Sequence, residues 1–372
     1  MKYVDEYRDG TRAAALAATI RAEAREGRGY AFMEFCGGHT HAIARYGLED
    51  LLPGNVRLIH GPGCPVCVLP IGRLEAAITL AADPRIILCT YADLMRVPAA
   101  RGRSLQKARA EGADVRMVYS SLDALRIAGE NPDREVVFLA IGFETTTPPT
   151  AHAVLAASRQ GLRNFSVFCN HVLTPPAMRA ILADATGARL DGVIGPSHVS
   201  TVIGSAAYDD VAATFSTPVV IAGFEPLDVL QSVLMLIRQC NAGRAGVENQ
   251  YIRAVTAEGN RKAQAVMAET FVRRPSFAWR GLGELPDSAL ALAPAYAGFD
   301  AERRFGVETP EIPDNPACAC GAILRGTQTP AECRLFGTVC TPQNPIGSCM
   351  VSSEGACAAA WTYGRHRERP SP

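Results

Sequence analysis

The sequence predicts an α/β protein with two similar parallel-sheet domains in tandem and a third, loop-rich domain. Two observations predict the first two domains. Short apolar runs alternate with helix-like stretches over residues 29–235, and a weak internal repeat recurs at an offset of roughly 130 residues. A third observation predicts the last domain. Six of the twelve cysteines fall between residues 318 and 357, in a stretch without long periodic elements.

Eight β-rich runs are the predicted strands. Each leads into a helix-like segment, and this alternation is typical of βαβ units in parallel sheets. The runs are YAFMEF (30–35), VRLIHG (56–61), RIILCT (85–90), VRMVYS (115–120), EVVFLAIG (135–142), FSVFCN (165–170), GVIGPS (192–197) and PVVIAG (218–223).

The internal repeat links segments that share an apolar strand followed by a glycine-containing loop. Residues 56–72 resemble residues 191–204, and residues 85–97 resemble residues 218–230. Duplication of one domain would produce such pairs, and so would a chance similarity between two βαβ units.

The predicted domains follow from these elements. Residues 1–28 form an N-terminal amphipathic helix that we expect to pack on the third domain. The first α/β domain spans 29–130 and the second 131–235. The third domain spans 236–372 and begins with helices, since apolar residues recur at helical spacing up to residue 270.

Composition excludes several classes of protein. The 37 basic and 37 acidic residues balance, so no nucleic-acid or anionic-membrane partner is expected. The N-terminus lacks the apolar core of a signal peptide, and no apolar run reaches the ~18 residues of a membrane span. We therefore expect a cytoplasmic protein, in which clustered cysteines more often serve metal or redox chemistry than disulfides.

The spacing of the C-terminal cysteines limits the kinds of metal site that they can form. One, twelve, six, eight and seven residues separate successive members, which differs from the paired knuckles of structural zinc and from the tight run of bacterial ferredoxins. Loops of this length can wrap around an iron–sulfur cluster, and four ligands would leave two thiols over. A zinc site with spare cysteines is the alternative. The six are Cys318, Cys320, Cys333, Cys340, Cys349 and Cys357.

The segment FCGGHTHAI places a cysteine and two histidines at the end of a predicted strand. Cys36 is followed by two glycines, His39 and His41. Parallel sheets bind ligands at this edge, and a helix N-terminus favours a thiolate. We interpret Cys36 as a reactive or metal-binding thiol and the histidines as ligands or proton carriers; a buried cysteine beside ordinary loop histidines is the alternative.

The segment GPGCPVCVLPIG contains the only C-x₂-C pair, Cys64 and Cys67. Zinc would need a second pair, and prolines with glycines fix the loop, so a redox dithiol is favoured over metal ligation or a structural role. A further strand end, GFETTTP (142–148), fits an anion pocket, a docking loop or a helix cap. Phosphate-loop and dinucleotide-binding glycine motifs are absent, which argues against a conventional ATPase or nicotinamide dehydrogenase.

Four of these segments together resemble one family. FMEFCGGHTHAI, GPGCPVCVLP, GFETTTP and the C-x-C-G…CTPQNPIGSCMVSSEGAC segment are similar, in order and over nearly the whole chain, to the HypD family of hydrogenase maturation factors. The resemblance implies two similar α/β domains and a third that holds a [4Fe–4S] cluster in surroundings like those of ferredoxin–thioredoxin reductase. It implies that Cys318, Cys333, Cys340 and Cys357 bind the cluster and that Cys320 and Cys349 form a redox-active pair.

The resemblance also implies partners and a task. Family members act with the small protein HypC as the scaffold on which the Fe(CN)₂CO unit of [NiFe]-hydrogenase is built, and HypE, supplied by HypF, brings cyanide. Cys36 would bind the transient Fe(II) that carries CN and CO, with His39 beside it. Cys64 and Cys67 would pass electrons from the cluster by thiol–disulfide exchange.

The prediction is therefore a redox-active maturation scaffold without a recognisable turnover motif. One rival is a cluster-dependent thiol-disulfide reductase acting on a protein disulfide, which would leave the CGGHTH motif without a role. A second rival is a zinc-stabilised structural module.

Overall fold

The computed structural model describes residues 5–364 and shows an α/β protein with thirteen strands in that range. All eight predicted strands are present. In chain order the strands are β1 (Tyr30–Glu34), β2 (Val56–His60), β3 (Ile86–Thr90), β4 (Val115–Met117), β5 (Glu135–Gly142), β6 (Phe165–His171), β7 (Gly192–Gly195), β8 (Val219–Ile221), β9 (Val247–Asn249), β10 (Phe271–Arg273), β11 (Ser276–Trp279), β12 (Gly283–Pro286) and β13 (Leu290–Leu292).

Two sheets with the same core topology organise the strands. The first has the order β2-β1-β7-β8-β9 and the second β4-β3-β5-β6, and every pairing in both is parallel. The leading strand of each sheet is interior, with its successor on one side and further strands on the other, three in the first sheet and two in the second. The predicted fold class, two similar parallel-sheet units, is confirmed. The ends of parallel strands bring their loops to one edge, where ligands bind.

The sheets divide the chain differently from the predicted boundary between 29–130 and 131–235. β1 and β2 pair into a sheet with β7, β8 and β9, so the whole second sheet is inserted between β2 and β7. The repeat also pairs 56–72 with 191–204, whose strands β2 and β7 belong to one sheet. Alternation of strands and helices does not encode which sheet a strand joins, because local periodicity is the same in both cases.

The helices cover the sheets and frame the cysteine region. Helix α11 packs on β7 and β8, and α6 and α7 pack around β5 and β6. The helices are α1 (Gly10–Glu23), α2 (Gly37–Tyr46), α3 (Pro65–Val68), α4 (Ile71–Ala81), α5 (Leu105–Ala110), α6 (Ser121–Glu130), α7 (Thr147–Gln160), α8 (Thr174–Ala183), α9 (Ser197–Ile203), α10 (Asp209–Phe215), α11 (Pro226–Ala242), α12 (Arg261–Thr270), α13 (Ala301–Phe305), α14 (Cys320–Leu324) and α15 (Ala356–Gly364).

The N-terminal helix α1 packs on α11, which covers the first sheet. Ile20 is fully buried in the core cluster of that sheet, and Glu23 forms an ion pair with Arg238 at 2.6 Å. Arg238 lies within the range predicted for the third domain, 236–372, but α11 covers the first sheet and does not belong to the cysteine segment. The charged pattern predicted an amphipathic helix, but the apolar face of such a helix does not specify its partner.

The third region combines small β elements with loops. β10 pairs with β13 and β11 with β12, both antiparallel, in a stretch for which the sequence predicted no strands. The cysteine segment, residues 318–357, contains the five-residue helix α14, the start of α15 and short turns. The predicted loop-rich, cysteine-bearing region is therefore confirmed. In residues 5–364 no helix is long and apolar enough to cross a membrane.

Candidate metal and redox site

Cys36 lies at the carboxyl end of β1, at the N-cap of α2, and is 8% exposed. The two glycines after it are needed for close packing. A β-carbon on Gly37 would overlap the side chain of Glu354, and one on Gly38 would overlap the ring of Phe224. The CGG sequence therefore lets the start of α2 approach two segments that are distant in the chain.

A fully buried carboxylate holds the residues between β1 and α2, which we call the Cys36 loop, in place. Glu34 accepts hydrogen bonds from the Cys36 N–H at 2.9 Å, from the Thr40 hydroxyl, and from His60 Nδ1 at 3.0 Å. Burial acts to lower the pKa of His60, but the hydrogen bond and charge of Glu34 outweigh it, so this pKa is raised. Glu34 was not among the predicted site residues, since a charged residue at a strand end gives no distinct signal in the sequence.

The thiol of Cys36 is held in its neutral form by its surroundings. Burial raises its pKa far above the usual range, and the charges of Glu354 and Glu34 raise it further. Burial likewise raises the pKa of Glu354, with contributions from Asp93 and Glu34. A cation bound by the Cys36 sulfur would displace its proton and relieve the repulsion among these carboxylates.

His39 lies one turn into α2 and is fully buried. Its Nε2 is 3.1 Å from the carbonyl oxygens of both Ala222 and Gly223, and its Nδ1 has no hydrogen-bond partner among residues 5–364. Burial lowers its pKa. His198 lies nearby, since both imidazoles contact the Phe224 ring. His39 is thus a neutral, oriented imidazole close to Cys36 in the chain.

Cys64 and Cys67 are joined in a disulfide directly beside the Cys36 loop. The link is Gly63. Its carbonyl accepts the Gly37 N–H at 3.3 Å, and a β-carbon on it would overlap the Cys36 backbone. Both sulfur-bearing residues are buried, at 3% and 1% exposure. Two of the three chemical motifs predicted from the sequence are therefore neighbours in the structure.

The same disulfide loop contacts the cysteine segment. The Ser348 hydroxyl donates to the Cys67 carbonyl at 3.0 Å. One hydrophobic cluster contains Cys64, Cys67 and four cysteines of the segment. The third predicted motif therefore meets the second.

Thiols converge within the cysteine segment. The thiol of Cys320 interacts with those of Cys318, Cys349 and Cys357. The interaction between Cys320 and Cys318 lowers the pKa of Cys318 to about 6, and the interactions among these thiols raise the pKa values of Cys320 and Cys357. Cys340 lies close enough to raise the pKa of Cys357 by its charge. The predicted pair Cys320 and Cys349 is thus in contact.

The thiols of the cysteine segment are the type of donor that an iron–sulfur cluster uses. Cys340 Sγ accepts the Ile346 N–H at 3.4 Å, Gly347 packs against two sulfurs, and Cys333 lies partly buried at the edge of the same hydrophobic cluster. Soft thiolates on short loops, with backbone N–H groups turned toward sulfur, are the chemistry that such clusters use. Across residues 5–364 no group of three or more His, Cys, Asp or Glu side chains is arranged to hold a metal ion.

The GFETTTP turn acts locally as a helix start. The hydroxyls of Thr146 and Thr147 donate to the Phe143 carbonyl, while Glu144 accepts from the Thr174 N–H and hydroxyl at 2.9 Å. In the described chain no side chain caps the N-terminus of α7, so these contacts hold the turn against the end of β5 and the start of α8, and they do not favour the helix-cap interpretation. His171 Nε2 bonds to Thr150 Oγ1 at 2.9 Å, while its buried Nδ1 has no hydrogen-bond partner within residues 5–364.

Comparison with known proteins identifies the family to which the chain belongs. The family model described as "HypD: Hydrogenase formation hypA family" matches residues 11–364. "Hydrogenase maturation factor HypD" of Rhizobium leguminosarum bv. viciae is 67% identical over 374 residues, covering 99% of this chain and 97% of that protein. The proteins of that name from Azotobacter vinelandii and Escherichia coli K12 are 65% and 47% identical, each with 98% of its length covered, over 99% and 98% of this chain. The chain therefore belongs to the HypD family of hydrogenase maturation factors.

Proposed function

We propose that this maturation factor acts with HypC as the scaffold on which the Fe(CN)₂CO unit is assembled, in the cytoplasm, with cyanide delivered by HypE and HypF. One observation supports this most strongly. Cys36, the Cys64–Cys67 disulfide and the cysteine segment form a continuous series of contacts through Gly63 and Ser348. A metal-binding thiol and a source of electrons need this proximity.

Cys36 binds the iron of the unit as a thiolate, a soft donor suited to Fe(II) with cyanide and CO ligands. The thiol is protonated before iron arrives, because burial raises its pKa, so iron binding releases one proton. His39, oriented by two backbone carbonyls, orders the surroundings of the metal. A HypC cysteine supplies the second thiolate.

Cys318, Cys333, Cys340 and Cys357 hold a [4Fe–4S] cluster in this proposal. When bound, it supplies electrons one at a time. The thiols of Cys320 and Cys349 reduce the Cys64–Cys67 disulfide by exchange: one thiolate attacks a sulfur, the second resolves the mixed disulfide, and two electrons and two protons move to the new dithiol. The rival function, reduction of a disulfide on a protein substrate, fits less well because Cys64 and Cys67 are buried.

Anaerobic preparation with HypC tests the proposal. We expect a brown protein with about four irons and four sulfides, and infrared bands of bound cyanide and CO. Cys36→Ala should lose those bands and keep the cluster colour, while Cys240→Ala, in the core of the first sheet, should keep both. Zinc without iron would contradict the cluster, and bands that persist in Cys36→Ala would contradict the iron ligand.

A further inference from the structure

A cavity of about 870 Å³ opens beside the cysteine segment, and Cys318 and Cys320 are among its lining residues. Cys318 is partly exposed, whereas Cys320 is 5% exposed. We call this the basic cavity, because its lining contains five basic side chains and one acidic one: Arg96, Arg101, Arg103, Lys107, Arg280 and Asp314.

Ion pairing inside the basic cavity leaves an excess of positive charge. Arg103 pairs with Glu75 at 2.9 Å, and Arg280 pairs with Asp314 at 3.1 Å. The other three cations, Arg96, Arg101 and Lys107, are exposed and form no ion pair within residues 5–364. A chain with zero formal net charge thus concentrates about three unneutralised positive charges at one opening.

The buried guanidinium of Arg280 adds to the positive charge of the basic cavity. The Arg280 side chain is 3% exposed, and its Nη2 has no hydrogen-bond partner within the described chain. Asp314 neutralises part of this charge from a position that is 39% exposed. The positive potential therefore extends from the rim toward the thiols.

We propose that the basic cavity is the docking surface for a small acidic one-electron carrier protein of the ferredoxin or flavodoxin type. The proposal rests on the proposed function, which requires electrons to enter the cysteine segment. An acidic partner matches the excess charge, and docking there brings it next to Cys318. Two reduced carriers, each losing one electron, together with two protons from water, convert a Cys320–Cys349 disulfide into two thiols.

Nucleic acid is the other polyanion that such a surface attracts, and the lining argues against it. No aromatic side chain lines the basic cavity, so it offers no platform on which bases could stack.

A binding experiment on the full chain tests the proposal. The triple variant Arg96→Glu/Arg101→Glu/Lys107→Glu reverses the unneutralised charge. A matched triple, Arg189→Glu/Arg261→Glu/Lys262→Glu, reverses three exposed cations that do not line the cavity. The probes are an oxidised acidic [2Fe–2S] ferredoxin, an oxidised flavodoxin and a single-stranded RNA, each fluorescently labelled, at ionic strengths of about 0.01 M and about 1 M.

We expect at least one acidic carrier to bind the unaltered chain and the matched triple with an affinity that falls as salt rises. We expect the cavity triple to bind it at least roughly tenfold more weakly. Four outcomes would each overturn the proposal. They are equal binding of the carrier by both triples, binding that does not depend on salt, no binding of either carrier at low salt, and binding of the RNA alone. Unchanged circular dichroism would show that the triples fold.

This readout is separate from the proposed function, because it needs neither a cluster nor maturation activity. A chain without iron that binds the carrier through the basic cavity would overturn the proposed function alone. A chain that carries cyanide and CO bands but binds no carrier would overturn the docking surface alone.

Discussion

The Cys36 loop and the cysteine segment hold their thiols by different kinds of structure. Regular structure holds the Cys36 loop: β1 precedes it, α2 follows it, and Glu34 and the Gly63 carbonyl take its backbone N–H groups. The cysteine segment has short turns and a five-residue helix, with interacting thiols at its centre. The sheet therefore organises the first thiol in advance, whereas the order of the second region depends on what its thiols bind.

The largest effect is expected from a variant that breaks the connection between the Cys36 loop and the cysteine segment. In the double variant Cys64→Ser/Cys67→Ser the disulfide that contacts both regions is lost, so hydrogenase maturation should fall about 100-fold or more. Iron and sulfide content should stay unchanged, since the cluster ligands are proposed to lie elsewhere. Maturation assays and metal analysis measure both, with Cys240→Ala as the control. Loss of iron in the double variant would place these cysteines among the cluster ligands.

Removal of iron by a chelator should separate the two regions in a second way. We expect amide exchange over residues 318–357 to accelerate roughly 100-fold, because ligation replaces much of the missing regular structure. Exchange over residues 30–46 should change little, since strand pairing and Glu34 hold that loop. Hydrogen–deuterium exchange with mass spectrometry compares the two. Equal acceleration in both regions would mean that the Cys36 loop also depends on the cluster.

The fold was predictable as far as local patterns determine it. All eight strand predictions hold because apolar runs between turn residues are a local signal. The sheet partners of β1 were missed, since they depend on long-range packing that sequence periodicity does not encode. β10 to β13 are short and lie among prolines and glycines, so no alternation revealed them.

The site was predictable for residues whose chemistry is unusual in itself. Cys36, His39, Cys64 and Cys67 stand in motifs with glycine and proline, whose density signals a site. Glu34 and Glu354 gave no such signal. Their importance comes from burial beside Cys36, and Glu354 reaches it from the far end of the chain.

The free energy of unfolding should also depend on pH, through a buried carboxyl group of the second sheet's GFETTTP turn. Burial raises the pKa of Glu144 to about 7, from about 4.5 in the unfolded chain. Between pH ~4.5 and ~7 the carboxyl keeps its proton in the folded state and loses it in the unfolded state. Its contribution to the free energy of unfolding is therefore full below pH ~4.5 and is lost as the pH rises to ~7. The loss is about 3 kcal/mol.

Glu144→Gln isolates this contribution, because the amide does not titrate and its oxygen can still accept from Thr174. The free energy of unfolding of Glu144→Gln minus that of the unaltered chain should rise by about 3 kcal/mol between pH 4.5 and 7. Denaturant titrations across this range measure it, and the exposed Glu26→Gln should show no such change. A constant difference would mean that Glu144 is ionised throughout.

The smallest expected effect tests whether Glu34 alone holds the Cys36 loop. Glu34→Gln keeps the volume but turns one acceptor oxygen into an N–H₂ that faces a donor, so the free energy of unfolding should fall by about 2 kcal/mol. The pKa of His60, measured by NMR, should fall, because burial then acts without the opposing carboxylate charge. Exchange over residues 318–357 should stay unchanged. If it accelerated as much as exchange over residues 30–46, the two regions would form one cooperative unit, and the sheet would not organise the Cys36 loop independently.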